Sequence, residues 1–288
     1  MSVESHDNPK PKRQPPQNTL NDLEAKQWMP ETISVWIQKG LGANHAEAQI
    51  ERLHPAPFSF SDVARLVRFF TKSGGTVLDP FLGVGSSLKA AALEGRRGIG
   101  FELNPQYAEL ARQRLSTEVP PELLAKYPQE VLGGDVRELL PTIKDDSVDF
   151  VVTSPPYWNI LHKQDHKARQ ERSSKGLDTR YSDDERDLGN IHDYAAFVEE
   201  LAAILGSCYR VLKPKKYMAI VVSDFRDGSR LHMFHADLAS ALEDHGFILQ
   251  GITILYQKFK RIFPYGYPSA YVPNIHHQYI LILRSSKK

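Results

Sequence analysis

The sequence predicts an α/β protein: a mainly parallel sheet with helices on both faces. Apolar runs of strand length, such as Thr76-Val77-Leu78 and Val148-Asp149-Phe150-Val151-Val152, alternate with amphipathic helical stretches. These runs stop sharply, at an acid, a glycine turn or a proline pair. With 41% hydrophobic and 25% charged residues, the 288-residue chain has an ordinary globular composition. Ligands of such sheets bind beyond the carboxyl ends of the strands, so the strand ends are where chemistry is expected.

Taken in order, residues 1–18 are rich in Pro, Lys, Gln and Asn and read as a disordered tail. Residues 19–53 hold Trp28, Ile33, Val35, Trp36 and Ile37, too much apolar surface to leave bare, and read as an arm packed on the main domain. Pro30 should interrupt any helix there. Residues 54–288 form the main domain. Ser61 or Asp62 is expected to cap a helix through Val63, Leu66, Val67 and Phe70.

Strand Val77-Leu78 then leads into Asp79-Pro80-Phe81-Leu82-Gly83-Val84-Gly85, with Ser86 or Ser87 capping the next helix. A strand, a glycine turn and a helix N-terminus make a nucleotide-type ligand site. The next strand, 97–102, ends at Glu102, which could grip a pair of ribose hydroxyls or simply favour the helix that follows. A helix starting at Asn104 or Pro105 carries Tyr107, Leu110, Ala111 and Leu115 on one face. Asp135 ends a short third strand; it could accept from an adenine amino group or merely cap a helix through Leu139 and Leu140.

The strand 148–152 stops at Thr153-Ser154-Pro155-Pro156-Tyr157-Trp158. Two prolines remove two donors and fix two φ angles, giving a stiff elbow with a hydroxyl, free carbonyls and two aromatic faces. Acceptors and flat faces suit a planar heterocycle bearing an exocyclic amine; a packed proline turn is the bland alternative. The polar stretch 159–190 contains Lys163, Lys167, Arg169 and Arg172 and reads as a substrate-binding loop. A long amphipathic helix from Asp193, a strand from Lys216 to Phe225, a helix from His235 to His245 and two final strands follow. Between those strands, Lys258, Lys260 and Arg261 interleave with aromatics, a composition that suits nucleic acid or a plain hairpin loop. His276 and His277 are adjacent on a strand and point to opposite faces, so no metal site is expected.

Net charge is +1, so a polyanion would need a local basic face. Apolar runs are too short to span a bilayer, and no apolar signal core is evident. The single cysteine, Cys208, fits a reducing, cytoplasmic compartment and lies inside a helix, away from any proline elbow. That position argues against a cysteine nucleophile. A nicotinamide site is disfavoured because the first turn lacks a third glycine.

Leu78-Asp79-Pro80-Phe81 with Gly83 and Gly85, followed by Ser154-Pro155-Pro156-Tyr157-Trp158, resembles the amino-group DNA methyltransferases that use S-adenosyl-L-methionine. The resemblance covers roughly residues 54–284. It implies a Rossmann-like, seven-stranded class I methyltransferase sheet with an antiparallel final strand pair. It also implies that Asp79, Pro80, Phe81, Gly83, Gly85 and Ser86 cradle the cofactor, that Glu102 with Leu103 holds its ribose, and that Asp135 meets its adenine edge. Phe58, after Pro57, resembles the segment that packs on the cofactor. DNA is the implied partner, with a cognate restriction endonuclease a further candidate. An elbow opening with Ser154 and ending in Trp158 is more typical of cytosine N4 methylation; adenine N6 is the runner-up. A cofactor-binding protein that grips DNA without catalysis is the alternative of another class.

Overall fold

The computed structural model describes residues 17–38, 50, 59–158, 184 and 186–288. The strands are β1 (Val35–Ile37), β2 (Thr76–Asp79), β3 (Arg97–Glu102), β4 (Gln129–Gly133), β5 (Val148–Thr153), β6 (Leu212–Val222), β7 (Phe225–Asp227), β8 (Arg230–His232), β9 (Phe247–Tyr256) and β10 (His277–Ser285). The helices are α1 (Ala25–Glu31), α2 (Phe60–Phe70), α3 (Ser86–Leu93), α4 (Pro105–Glu118), α5 (Pro121–Lys126), α6 (Val136–Leu139), α7 (Tyr194–Val211) and α8 (Phe234–Glu243).

Among the described residues, eight strands form one sheet in the order β1-β9-β10-β6-β5-β2-β3-β4. Pairing is parallel from β4 through β6, and β10 runs antiparallel to both β6 and β9. Seven strands thus make the expected sheet. The eighth, β1, comes from the N-terminal segment and pairs parallel with the last residues of β9. β7 and β8 form a separate two-stranded ribbon that sequence reading did not foresee. The chain winds outward from β2 through β3 to β4, then returns to β5 on the other side of β2. This reversal opens a crevice between the carboxyl ends of β2 and β5.

Alternation along the strands divides the core. Val77, Phe150, Val152, Ala219 and Val221 face α2 and α3, together with Trp36 of β1. Leu78, Val151, Met218, Ile220 and Val222 face α7 and α8 through Phe197, Leu201, Leu205, Phe234 and Leu238. Phe150 is fully buried and stacks on Phe70 with ring centres 5.1 Å apart. Burial of such a ring contributes about 2–3 kcal/mol. The N-terminal segment is tied down by Trp28 against Phe69, by Asn21 donating to the Phe69 carbonyl, and by Arg65 lying 3.6 Å from the Trp36 ring centre. α1 runs through Pro30, which sits in its last turn where the break it causes coincides with the helix end. Among the described residues, no helix is long and apolar enough to cross a membrane.

Caps deviate from the sequence expectation in two places. α2 starts earlier than expected, with Ser59 rather than Ser61 or Asp62 at its N-cap. α3 has Gly85, at φ +83°, as its N-cap instead of a serine. A Cβ at Gly85 would lie 3.0 Å from that of Ala111, so glycine serves both the left-handed turn and the close approach of α4. Ser86 and Ser87 are thereby released for side-chain bonds.

A buried charge knot holds α4 to α3. Lys89 and Arg114 have no exposed side-chain surface and share Glu118, at 2.7 and 3.0 Å. Arg114 also donates to Ser86 Oγ at 2.8 Å, and the Lys89 ammonium lies 3.9 Å from the Phe60 ring centre. Removing the anion of such a set leaves cations that water cannot reach. Glu118→Gln is therefore expected to cost about 3–5 kcal/mol, seen as a lowered midpoint in urea unfolding; a shift under about 1 kcal/mol would show the knot to be solvated.

Candidate active site

β2 ends at Asp79, whose side chain points into the protein and is 2% exposed. Its Oδ1 accepts from the Phe81 backbone N–H at 3.0 Å and from Thr153 Oγ1 at 2.6 Å, and its Oδ2 accepts from Ser87 Oγ. One carboxylate thus joins the turn after β2, the first turn of α3 and the last residue of β5. Burial pushes its pKa up to about 6, against the pull of the Ser87, Thr153 and Phe81 donors.

A cavity lies beyond these strand ends. Its walls include Pro80, Phe81 and Gly83 from the turn, Glu102, Leu103 and Asn104 after β3, and Ser154, Pro155 and Pro156 of the elbow. Phe101, Tyr107, Gly134, Asp135, Val136 and Arg137 also line it, as do Arg186, Asp187 and Leu188. The glycine turn and the proline elbow, 71 residues apart between Gly83 and Ser154, therefore face one space.

Glu102 is held at the rim by two backbone amides: Gly83 N–H donates to Oε2 at 2.7 Å and Asn104 N–H to Oε1 at 2.8 Å. Burial raises its pKa to about 7 despite these donors, with the nearby Asp79 charge adding to the rise. Each oxygen keeps lone pairs for hydroxyls of a ligand.

Asp135 behaves differently from the adenine-edge expectation. It caps α6 by accepting from the Arg137 N–H at 2.8 Å, and the Arg137 guanidinium grips both its oxygens at 2.6–3.1 Å. Arg137 also donates to Glu200 Oε1 at 2.8 Å and to the Arg186 carbonyl at 2.9 Å. Burial alone would raise the Asp135 carboxyl, but Arg137 outweighs it and holds the group below its ordinary range. Arg137 thus occupies most of the acceptor sites that an amine would use, while Asp135 still lines the cavity.

At the elbow, Ser154 Oγ donates to the Val221 carbonyl at 3.2 Å and also makes a side-chain hydrogen bond with Tyr157, which leaves one lone pair for a ligand N–H. Tyr157 is part-buried, its ring edge-on to Phe234 and its hydroxyl accepting from Gln278 Nε2 at 3.1 Å. Burial raises its pKa, so it is a neutral phenol. Trp158 corrects the picture of two offered aromatic faces. It is 5% exposed, at φ +26°, and its ring packs among Tyr194, Phe225 and His232. It braces the elbow from inside.

Of the residues expected to cradle a cofactor, Pro80, Phe81, Gly83, Glu102, Leu103 and Asp135 line the cavity. Asp79, Gly85 and Ser86 do not; they shape the turn from behind. Phe58, Lys163, Lys167, Arg169 and Arg172 lie outside the described residues. Lys258, Lys260 and Arg261 are exposed on the β9–β10 connection. Cys208 is buried in α7 with its thiol pushed up to about 12 by burial, which leaves it unreactive at neutral pH. Arg137 and Gln278 were not singled out from the sequence, while Ser87 was read only as a helix cap and Thr153 only as the first residue of the elbow stretch. Thr153 carried the further signal of a hydroxyl on the opposite face of β5 from Val152.

Residues 2–113 and 148–288 match the family model described as DNA methylase. The chain belongs to the DNA methylase family. Its similar curated proteins include the type II methyltransferase M.ScaI of Streptomyces caespitosus, 33% identical over 29% of this chain and 28% of that protein. They also include the type II methyltransferase M.MthZI of Methanothermobacter thermautotrophicus, 38% identical over 23% of this chain and 18% of that one. A tRNA (guanine(10)-N2)-dimethyltransferase of the latter species is 35% identical over 30% of this chain and 23% of its own. The matched stretches span less than a third of these relatives' length. Among solved structures, TTHA0409 of Thermus thermophilus in complex with S-adenosyl-L-methionine is 29% identical, covering 54% of this chain and 52% of that one, with a TM-score of 0.37.

In this member of the DNA methylase family the Thr153–Asp79 bond joins the two walls of the cavity, and its strength depends on pH. Asp79 has a folded pKa raised above its unfolded value, so its contribution is full below about pH 4 and lost as pH rises through about 6. Thr153→Val removes a donor to the carboxylate and raises that pKa further. Its destabilisation relative to the wild type is expected to be about 1 kcal/mol larger at pH 8 than at pH 5 in urea unfolding; an equal deficit at both would place the Thr153 contact outside the Asp79 titration.

Proposed function

We propose that this chain transfers a methyl group from S-adenosyl-L-methionine to an exocyclic amino group of a DNA base, cytosine N4 in the first place and adenine N6 in the second. The observation that carries the reading is the cavity shared by the Gly83–Glu102 wall and the Ser154-Pro155-Pro156 elbow. A donor and an amine held on those two walls would meet within one enclosed space.

The cavity residues fit an adenosyl donor. Glu102, fixed by two amides, is aimed to take vicinal ribose hydroxyls, and Phe81, Phe101, Tyr107 and Val136 offer apolar surface to a flat ring. When bound, the donor supplies an electrophilic methyl carbon on a sulfonium sulfur. The protein's part is to make the amine nucleophilic, because its lone pair is delocalised into the base. Ser154 Oγ, turned by its bond to Val221, and the Pro155 carbonyl accept the two amine N–H groups. These acceptors favour the positive charge that grows on nitrogen during transfer. Proline at 155 and 156 keeps the elbow rigid, so the acceptors need little rearrangement. The Tyr157 ring offers a face for the base, which must leave the duplex to reach the elbow.

Cytosine N4 is placed first because the elbow opens with Ser154 and closes with Trp158. Within this reading residues 54–288 are the catalytic unit, with 19–53 an arm laid on it and 1–18 a tail. DNA is the macromolecular partner, in line with the relatives named type II methyltransferases; a paired restriction endonuclease would accompany an enzyme of that kind. The tRNA relative's name specifies another exocyclic amine, guanine N2, so RNA belongs in the test.

The test is to incubate the protein with methyl-labelled S-adenosyl-L-methionine and either unmethylated mixed-sequence DNA or RNA, digest to nucleosides and measure their masses. N4-methylcytosine in DNA is expected. N6-methyladenine would install the second reading, and label in RNA alone, or in neither polymer, would overturn both.

Glu102 gives an independent handle on the donor site. Only its carboxylate can accept two hydroxyls, and its pKa without ligand is about 7. S-adenosylhomocysteine should thus bind about tenfold more weakly at pH 6 than at pH 8 by calorimetry. Glu102→Gln should bind weakly at both, with no such step. A flat wild-type profile would remove Glu102 from the ribose site.

A further inference from the structure

The connection between β9 and β10 is built as a projecting tool. Gln257 N–H donates to the His276 carbonyl at 2.8 Å, closing its base. Further out, Asn274 pins Phe263 with two bonds of 2.8 Å, one to the Phe263 N–H and one to its carbonyl. Residues 264–273 are thereby a closed lobe. Within it the Ala270 and Ser269 N–H groups both donate to the Gly266 carbonyl, at 2.7 and 2.9 Å. Gly266 stands at φ +74°, where a Cβ would fall 2.3 Å from the Ala270 oxygen. The backbone of the lobe is therefore set by its own bonds.

What the lobe displays is unusual for a well-formed surface. Tyr267 is 83% exposed and Tyr271 89% exposed, and on the arm leading to it Phe259 and Ile262 are 83% and 79% exposed. Large rings held in water by an ordered backbone mark an interaction surface. The charge around them has one sign. Residues 257–276 contain Lys258, Lys260 and Arg261 and no acid; indeed no Asp or Glu follows Asp244, while residues 1–244 hold thirty Lys and Arg against thirty-five Asp and Glu. Flat rings between cations, on an arm free of acids, match stacked bases between phosphates.

The tool also stands beside the elbow. Gln278, two residues past the base of the connection, donates to the Tyr157 hydroxyl at 3.1 Å and accepts from Gln257 Nε2 at 3.5 Å. One chain of side chains runs from the elbow to the root of the lobe.

Resting on the functional reading above, we propose that the 264–273 lobe enters duplex DNA next to the extruded base, with Tyr267 and Tyr271 stacking between base pairs while Lys258 and Arg261 hold the flanking phosphates. The rings take over stacking that the flipped base gives up, which lowers the cost of opening the duplex. The cations supply sequence-independent affinity with a salt dependence.

Insertion of a ring between base pairs unwinds the helix, which can be read without knowing the recognition sequence. A nicked-and-religated or topoisomerase-relaxed plasmid is bound with wild-type protein, with Tyr267→Ala/Tyr271→Ala and with Tyr267→Phe/Tyr271→Phe, each at matched occupancy by filter retention. The wild type and the Phe pair are expected to lower the linking number, and the Ala pair to lose at least half of that shift. Both side chains are exposed, so the Ala pair should fold as the wild type does, checked by its urea midpoint. Lys258→Ala/Arg261→Ala should weaken retention about tenfold or more at low salt and flatten its dependence on salt. Equal shifts from all three proteins, or none from fully retained wild type, would overturn the insertion. Failure of the wild type to retain any duplex would instead strike the DNA reading itself.

Discussion

The buried carboxylate of Asp79 is the constraint on which the cavity depends. A charge enclosed at 2% exposure must be satisfied by the protein, and its donors come from three separate elements. Phe81 N–H fixes the turn after β2, Ser87 fixes the start of α3, and Thr153 fixes the last residue before the proline elbow. The crevice left by the sheet's reversal would otherwise be two strand ends with nothing to set their separation. The group that sequence reading expected to touch a cofactor works from behind, by holding both walls at a defined spacing.

A further set of bonds repeats that pattern. Glu102 draws the Gly83 amide toward β3, and Arg137 draws Asp135, Glu200 and the Arg186 carbonyl into one cluster. The wall formed by Arg186, Asp187 and Leu188 is anchored in this way to the strand end at Gly133 and Gly134. Charge also closes the opposite ends, where buried Arg96 donates to Thr71 and Asp149 accepts from the Thr76 N–H and Lys213.

Much of this could be seen in the residues. Strand and helix order followed from the change of hydrophobic period, and the two motifs named the strand ends where the cavity lies. The elbow was legible because Pro155 and Pro156 have few other uses. What escaped depended on side-chain direction at single positions. Asp135 and Arg137 are two apart at a helix start, a spacing that gives no hint that one would occupy most of the other's acceptors. Trp158 sits after a diproline in a left-handed backbone conformation, which turns its ring inward instead of onward along the chain. The helix Pro121–Lys126 and the β7–β8 ribbon were too short for periodicity to reveal. Ser59 capped α2 in place of its better-looking neighbours because the cap is chosen by where the packed stripe begins.

The N-terminal strand has a consequence for how the molecule behaves among copies of itself. β9 would be the outermost strand of the sheet, with Ile248, Ile254 and Tyr256 partly bare along it. Val35, Trp36 and Ile37 take up the backbone of its last three residues, and the Gln38 N–H adds one more bond to the Tyr256 carbonyl. An open row of amides and carbonyls is a template for a foreign strand. By filling part of that row from its own chain, the protein moves the open edge outward onto the three residues of β1, a much shorter template than β9 would offer.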